Sequence, residues 1–274
     1  IVEGELANGV RVALKPTDFR EDQIMFRGFS PGGTSLVSDE EWIPASSATA
    51  LIRGGGLGPF NTTDLRRVLT GKVASARPFI SSFEEGVTGS GSPQDLETMF
   101  QLIYMTFTAP RADPEYFEVF NTRNRAGLQN RDASPAVAFN DAINRIMTQD
   151  ALRSRPVTVE TLDHTDLDAS LAFYQDRFAD ASDFTFIFVG NIDLDVMRPL
   201  VERYLGGLPS TNRVETWRDL GERPPRGVIE EIVRKGLEPQ SQTRLFFTGS
   251  IDYGDRSQRL GIAVMTSVLQ TRLR

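Results

Sequence analysis

Strand-like segments come in pairs over the first third of this 274-residue chain, a run of helical stripes follows, and one apolar strand then closes the series. That order limits the fold more than any other feature. Paired strands kept apart from a block of helices predict an α+β unit with a mostly antiparallel sheet and its helices on one face, not an alternating parallel fold. Residues 10–14 alternate apolar and polar after Asn8-Gly9, and residues 23–29 do so again, which reads as two strands joined by a turn over 16–22. Residues 72–80 and 82–89 form a second pair, ended by Gly89-Ser90-Gly91-Ser92-Pro93.

Helices are read from spacing. Residues 44–53 are alanine-rich and stop at Gly54-Gly55-Gly56, and Thr62 or Thr63 caps a short helix over 64–69. Leu96, Met99, Phe100, Ile103, Tyr104 and Phe107 share one helical face, and Pro110 ends that run. Tyr116, Phe117, Phe120 and Leu128 mark a second helix, Phe139, Ile143, Ile146 and Met147 a third, and Leu167, Leu171, Tyr174 and Phe178 a fourth. Residues 184–189 read as a central strand, because Phe, Ile and Val would point to both faces. Asp193 is placed to cap a helix ending near Leu205, with Pro199 at its first turn or at a kink. Residues 1–209 are therefore expected to be one complete unit, and 210–227, rich in Gly, Pro and charge, a linker. Strands at 228–233 and 243–248 and a helix from Arg256 repeat the order of the opening, so 228–274 is expected to begin a second, truncated unit. Position 1 is Ile with no charged-then-apolar leader after it, and position 274 falls inside a helical pattern, so the chain is expected to be a piece of something longer.

Composition narrows the chemistry. Thirty basic residues stand against 37 acidic, a net charge of −7 without a basic block, which argues against nucleic acid as a partner. The longest apolar run, 184–189, is far below the ~18 residues of a membrane span. Zero cysteines exclude disulfides, thiolate metal sites and cysteine nucleophiles, and a single histidine leaves the chain short of the imidazoles that zinc enzymes recruit.

Three motifs carry potential chemistry. Gly28-Phe29-Ser30-Pro31-Gly32 fits the G-x-S-x-G of a hydrolase nucleophile elbow. The residue after the serine must lend its N–H to the oxyanion hole, and Pro31 has none, so a turn at a strand end is the better reading. Gly54-Gly55-Gly56-Leu57-Gly58 lacks the Gly-Lys-Ser/Thr ending of a phosphate loop, since Gly71-Lys72 is followed by Val73, and it reads as a helix stop. His164, in Asp163-His164-Thr165-Asp166, is read as a surface or capping residue, with a base or lone ligand as the alternative.

Longer segments resemble a known family. Leu6-x-Asn8-Gly9-Val10-Arg11-Val12 with Lys15-Pro16-Thr17-Asp18-Phe19, then Phe29-Ser30-Pro31-Gly32-Gly33-Thr34-Ser35, is similar to the pitrilysin/insulinase zinc peptidases of family M16, in the third of four repeated units of long bacterial members. Val189-Gly190-Asn191 and the stretch from Pro199 to Pro209 resemble the last strand and helix of such a unit. Glu238-Pro239-Gln240-Ser241 and residues 269–274 resemble the opening of the fourth.

The resemblance implies the α+β fold of M16 peptidases and LuxS-like metallohydrolases. It also implies a departure. The family holds zinc on a His-x-x-Glu-His helix, with a distant glutamate completing the site. The matching stretch, 44–56, has neither His nor Glu, and Arg123 and Asn124 stand near where the distant glutamate would fall. No catalytic, cofactor-binding or metal residue carries over to this chain, and zinc is expected in the N-terminal half of a parent protein. The chain is then expected to be a non-catalytic, substrate-enclosing half whose partners are that catalytic half and a peptide substrate. Association through the C-terminal helix, or its packing onto 1–209, is also expected, because Ile262, Val264, Met265, Val268 and Leu269 need a covering surface. A periplasmic bacterial setting fits the absence of cysteine. The alternative is a stand-alone inactive paralogue that serves as partner subunit or peptide-binding module.

Overall fold

The computed structural model describes residues 1–272, the side chain of Asp132 excepted. Six strands, β1 (Val2–Glu5), β2 (Arg11–Pro16), β3 (Ile24–Pro31), β4 (Ala74–Ile80), β5 (Glu84–Gly91) and β6 (Thr185–Gly190), form one sheet in the order β1-β2-β6-β3-β5-β4. Only β2 and β6 run parallel. The mostly antiparallel α+β architecture read from the sequence is the one found. β2 and β3, however, do not pair with each other. β6 enters between them, with Val12 opposite Phe186 on one side and Phe26 opposite Phe188 on the other. The turn that joins β2 to β3 closes over the end of β6: Thr17 N–H donates to Gly190 O at 2.8 Å, and Asn191 Nδ2 donates to Glu21 O at 2.7 Å.

Helices α1 (Trp42–Gly55), α2 (Thr62–Val68), α3 (Leu96–Thr108), α4 (Pro114–Gln129), α5 (Pro135–Met147), α6 (Val159–Asp163), α7 (Leu167–Arg177) and α8 (Leu194–Leu200) follow in chain order. Their starts obey capping chemistry. Asn61, not Thr62 or Thr63, caps α2, its Oδ1 accepting from the N–H groups of Thr63 and Asp64, both at 2.9 Å. Asp113 and Ser134 cap α4 and α5, each with proline at the first helical position, and Asp193 caps α8 as expected. Pro199 lies inside α8, and a π-helical turn over Val201–Leu205 follows it.

The strand pattern of β6 is one-sided. Phe184, Phe186 and Phe188 are fully buried, whereas Ile187 is 38% exposed on the opposite face, opposite Arg27, and Met25 of β3 is 52% exposed. This corrects the expectation of burial on both faces: β6 is central, but helices cover only one side of the sheet. On that side Phe107 meets the rings of Phe178 and Phe184 edge-on, both at 5.0 Å, and Phe100 stacks on Phe188 at 5.4 Å. α1 packs against α7, where the Ser47 and Ser170 hydroxyls lie 3.3 Å apart and Ser170 Oγ donates to Pro44 O at 2.9 Å.

Beyond Leu205 the next helix or strand described is α9 (Arg256–Arg272); residues 273 and 274 of the expected terminal helix lie outside the described residues. The strands expected at 228–233 and 243–248 do not form. A strand persists only with a ladder partner, and none of the six strands accepts these segments, so Val228 and Phe247 stay exposed. α9 does not pack onto 1–209 either: Leu260, Val264 and Met265 remain more than half exposed. No helix of the described residues is long and apolar enough to cross a membrane.

Candidate functional site

Helix α1 occupies the place where the resemblance implies a zinc-binding helix. Ala45 and Ala48 are buried beneath it, the Ser46 and Ser47 hydroxyls donate to Ile43 O at 2.8 and 3.0 Å, and no side chain there offers a metal a nitrogen or a carboxylate. Asn124 on α4 donates to Phe120 O at 2.7 Å on an exposed surface. Among the described residues no group of three or more His, Cys, Asp or Glu is placed to hold a metal ion.

The remaining motifs resolve into packing. Ser30 lies within β3 and is fully buried, its hydroxyl turned toward Asp183. Gly28 recurs in the motif for a steric reason, because a Cβ there would sit 2.4 Å from the Phe186 ring. Fluorophosphonate treatment of the folded chain is expected to leave Ser30 unmodified in peptide mass mapping; stoichiometric labelling that disappears in Ser30→Ala would restore the hydrolase reading. The triple glycine ends α1, with Gly56 at φ 109°, a conformation that favours glycine. Lys72 pairs with Asp95 at 3.0 Å. His164 is the C-cap of α6, where Nδ1 is 2.8 Å from Glu160 O and so carries the hydrogen.

A concentration of buried charge among the described residues was not read from the sequence. Arg177, at the end of α7, keeps 5% of its side chain exposed and faces Glu85 of β5, itself 2% exposed. Arg177 Nη1 is 2.8 Å from Glu215 Oε2 and 3.8 Å from Glu85 Oε1, and Nη2 pairs with Asp176. Glu85 Oε2 accepts the Gly33 N–H at 2.5 Å. Burial pushes the Glu85 carboxyl up to about 7, against the Gly33 hydrogen bond and the Arg177 charge that oppose the rise. Burial likewise raises Asp183. Asp180 behaves oppositely: burial would raise it, but donors from Thr211 (2.6 Å), Ser182 (2.8 Å) and Arg213 (2.6 Å) hold it well below the usual carboxylate range. The signals were present. Arg177 falls on the same helical stripe as Tyr174 and Phe178, and Glu85 shares the inward face of β5 with Val87, so both charges interrupt apolar patterns. The Ser30 hydroxyl beside Asp183 is fully buried, so the arrangement presents no accessible nucleophile.

The positions where the resemblance implies zinc ligands carry alanine, serine and asparagine on an α+β sheet-and-helix unit. Residues 165–272 match the family model described as the Peptidase M16 inactive domain. The zinc protease PQQL-like protein of Arabidopsis thaliana is 26% identical over 284 residues, covering all of this chain and 27% of that protein. The crystal structure of the periplasmic protease PqqL from Escherichia coli superposes with a TM-score of 0.68 at 20% identity, over 81% of this chain and 26% of that one. The separately solved first half of that protein also matches, at a TM-score of 0.61 and 17% identity, over 79% of this chain and 48% of that one. Over its full length the chain is similar to M16-type zinc proteases, and it spans about a quarter of the length of the curated relatives it matches.

Proposed function

We propose that this chain is the non-catalytic, substrate-enclosing half of an M16-type zinc metallopeptidase. In this reading a catalytic half of the same protein holds zinc and hydrolyses a peptide, while the present segment closes the chamber and limits access to it. The observation that carries the reading is the match of residues 165–272 to the inactive domain of the family, joined to an α1 helix without a single zinc ligand. Support for pairing with a similar half comes from the likeness of this fold to the first half of the Escherichia coli protease as well as to the whole. Residues 1–209 act as one unit, 210–227 as a linker, and 228–274 as the opening of another unit whose remainder covers the apolar side of α9; a second copy of the chain covers it when that remainder is missing. The periplasmic setting of the Escherichia coli relative extends to this protein.

Calorimetric zinc titration and a quenched-peptide assay test the reading, run on this chain and on a parent carrying an upstream half. The expected result is no stoichiometric sub-micromolar zinc site and no chelator-sensitive cleavage from this chain, with both present in the parent and lost on removing this segment. Zinc-dependent cleavage by this chain alone would overturn it, and so would a parent whose activity is indifferent to the segment.

A further inference from the structure

Residues 211–222 contain no helix or strand, yet their polar contacts run back onto the preceding unit at close spacing. Thr211 Oγ1 and the Arg213 N–H both donate to Asp180 Oδ2 at 2.6 Å, and the Arg213 guanidinium donates to Asp176 Oδ1 at 3.0 Å and to Asp176 O at 2.8 Å. Glu215 accepts from Arg177 at 2.8 Å, the Trp217 ring stands edge-on to Phe83 at 5.4 Å, and the Arg218 N–H donates to Ser35 Oγ at 2.9 Å. Glu222 then receives Ser154 Oγ at 3.1 Å. The segment is a strap across the end of the sheet, and its deepest anchor is the Arg177 cluster.

That cluster is short of positive charge. Glu85, Asp176 and Glu215 share Arg177, the last two also share Arg213, and Asp183 adds its negative charge beside Glu85 and Glu215. The groups that face Glu85 are the Gly33 N–H from the turn after β3, Arg177 from α7, Asp183 from the loop before β6, and Glu215 from the strap. One edge of Arg177, its Nη1, serves both Glu85 and Glu215. We propose that the strap is fastened by a proton: with Glu85 neutral, Arg177 is committed to Glu215 and the strap lies locked, and loss of that proton sets two carboxylates against each other around one Nη1 amino group and loosens it. Like charges at short range in a poorly solvated site repel far more than in water. The burial that holds Glu85 near neutrality puts the switch within the ordinary working range, at about 7. Loosening weakens the hold of residues 211–218 on the end of the sheet, so the same contact couples proton concentration to the seating of the strap.

Amide hydrogen exchange on the 274-residue chain tests this, read at Arg213 and Arg218 between pH 6 and pH 8 and corrected for intrinsic exchange. Protection at both amides is expected to fall by about tenfold or more over that interval, the equivalent of one pKa unit of coupling, while the Phe188 amide in β6 stays protected. Glu85→Gln, neutral at both values, is expected to show at pH 8 the protection that the unmodified chain shows at pH 6. Protection that is flat in the unmodified chain, or a fall that persists in Glu85→Gln, would overturn the proposal. Should Glu85→Gln lose Phe188 protection and so fail to fold, Glu215→Gln decides: it removes the strap's own carboxylate, the pH dependence is expected to vanish with β6 intact, and its persistence rules the mechanism out.

Discussion

Phe186→Ala is expected to lower the unfolding free energy by about 3–5 kcal/mol, the range for emptying a large aromatic site that cannot collapse. Phe186 is fully buried, with the Phe184 and Phe188 rings at 6.1 and 6.3 Å on either side and Phe107 at 6.2 Å above. Beneath it lies Gly28, which has no side chain to move into the space. Ile187→Ala on the same strand faces the open side of the sheet and is expected to cost well under 1.5 kcal/mol, as roughly half-exposed aliphatic positions do. Urea denaturation of the two variants checks the pair. Equal losses would mean that the uncovered face of the sheet is packed as tightly as the helix-covered one, which would contradict the architecture.

Arg177→Met should cost a similar amount, about 3–5 kcal/mol at pH 8, since removing one partner strands buried carboxylates without a counterion. The sign of its pH dependence follows from Glu85. That carboxyl ionises at its ordinary 4.5 when unfolded and at about 7 when folded. The proton it holds in the fold therefore contributes stability that is complete below about 4.5 and is lost as pH rises through about 7. Below 7, Glu85 needs no counterion, and Arg177→Met leaves Glu215 and the half-exposed Asp176 to Arg213. The loss at pH 6 is expected to be visibly smaller than at pH 8 by urea midpoint. Losses that match at the two values, or a loss below about 1 kcal/mol at pH 8, would show that the cluster is better solvated than its burial indicates.

Much of the fold was legible because local patterns and tertiary outcome agree. The Leu96 to Phe107 stripe, the glycine stop of α1 and Asp193 at the head of α8 each name their element, and the stripe buries the face that its period predicts. Legibility failed where the partner is distant or absent. Nothing local in Arg11-Val12-Ala13-Leu14 states that its neighbour lies beyond Thr185, so a hairpin was the natural reading. β1 carries Val2-Glu3-Gly4-Glu5, all exposed, and owes its existence to the β2 edge rather than to any pattern of its own. Residues 243–248 show the converse, an apolar run of strand character that finds no ladder. For the site, the readable part was composition: Ala45, Ser46, Ser47, Ala48 and Thr49 bring neither imidazole nor carboxylate to this helix. The Arg177 cluster was missed because a charge on an apolar stripe looks like noise until its partner, ninety-two positions back in β5, is brought against it.

The insertion of β6 between β2 and β3 also fixes when this unit can exist during synthesis. Until Gly190 has left the ribosome, the sheet is two fragments, a β1–β2 hairpin and a β3-β5-β4 meander, each with a bare edge facing the gap. Translation at about 5–20 residues per second leaves those edges unpaired for roughly ten seconds or longer. Exposed edges of this kind are templates for pairing with other chains. A nascent chain of this type is thus most vulnerable late rather than early, since the three phenylalanines at the centre of its core and the core residues of the following helix all arrive after residue 183.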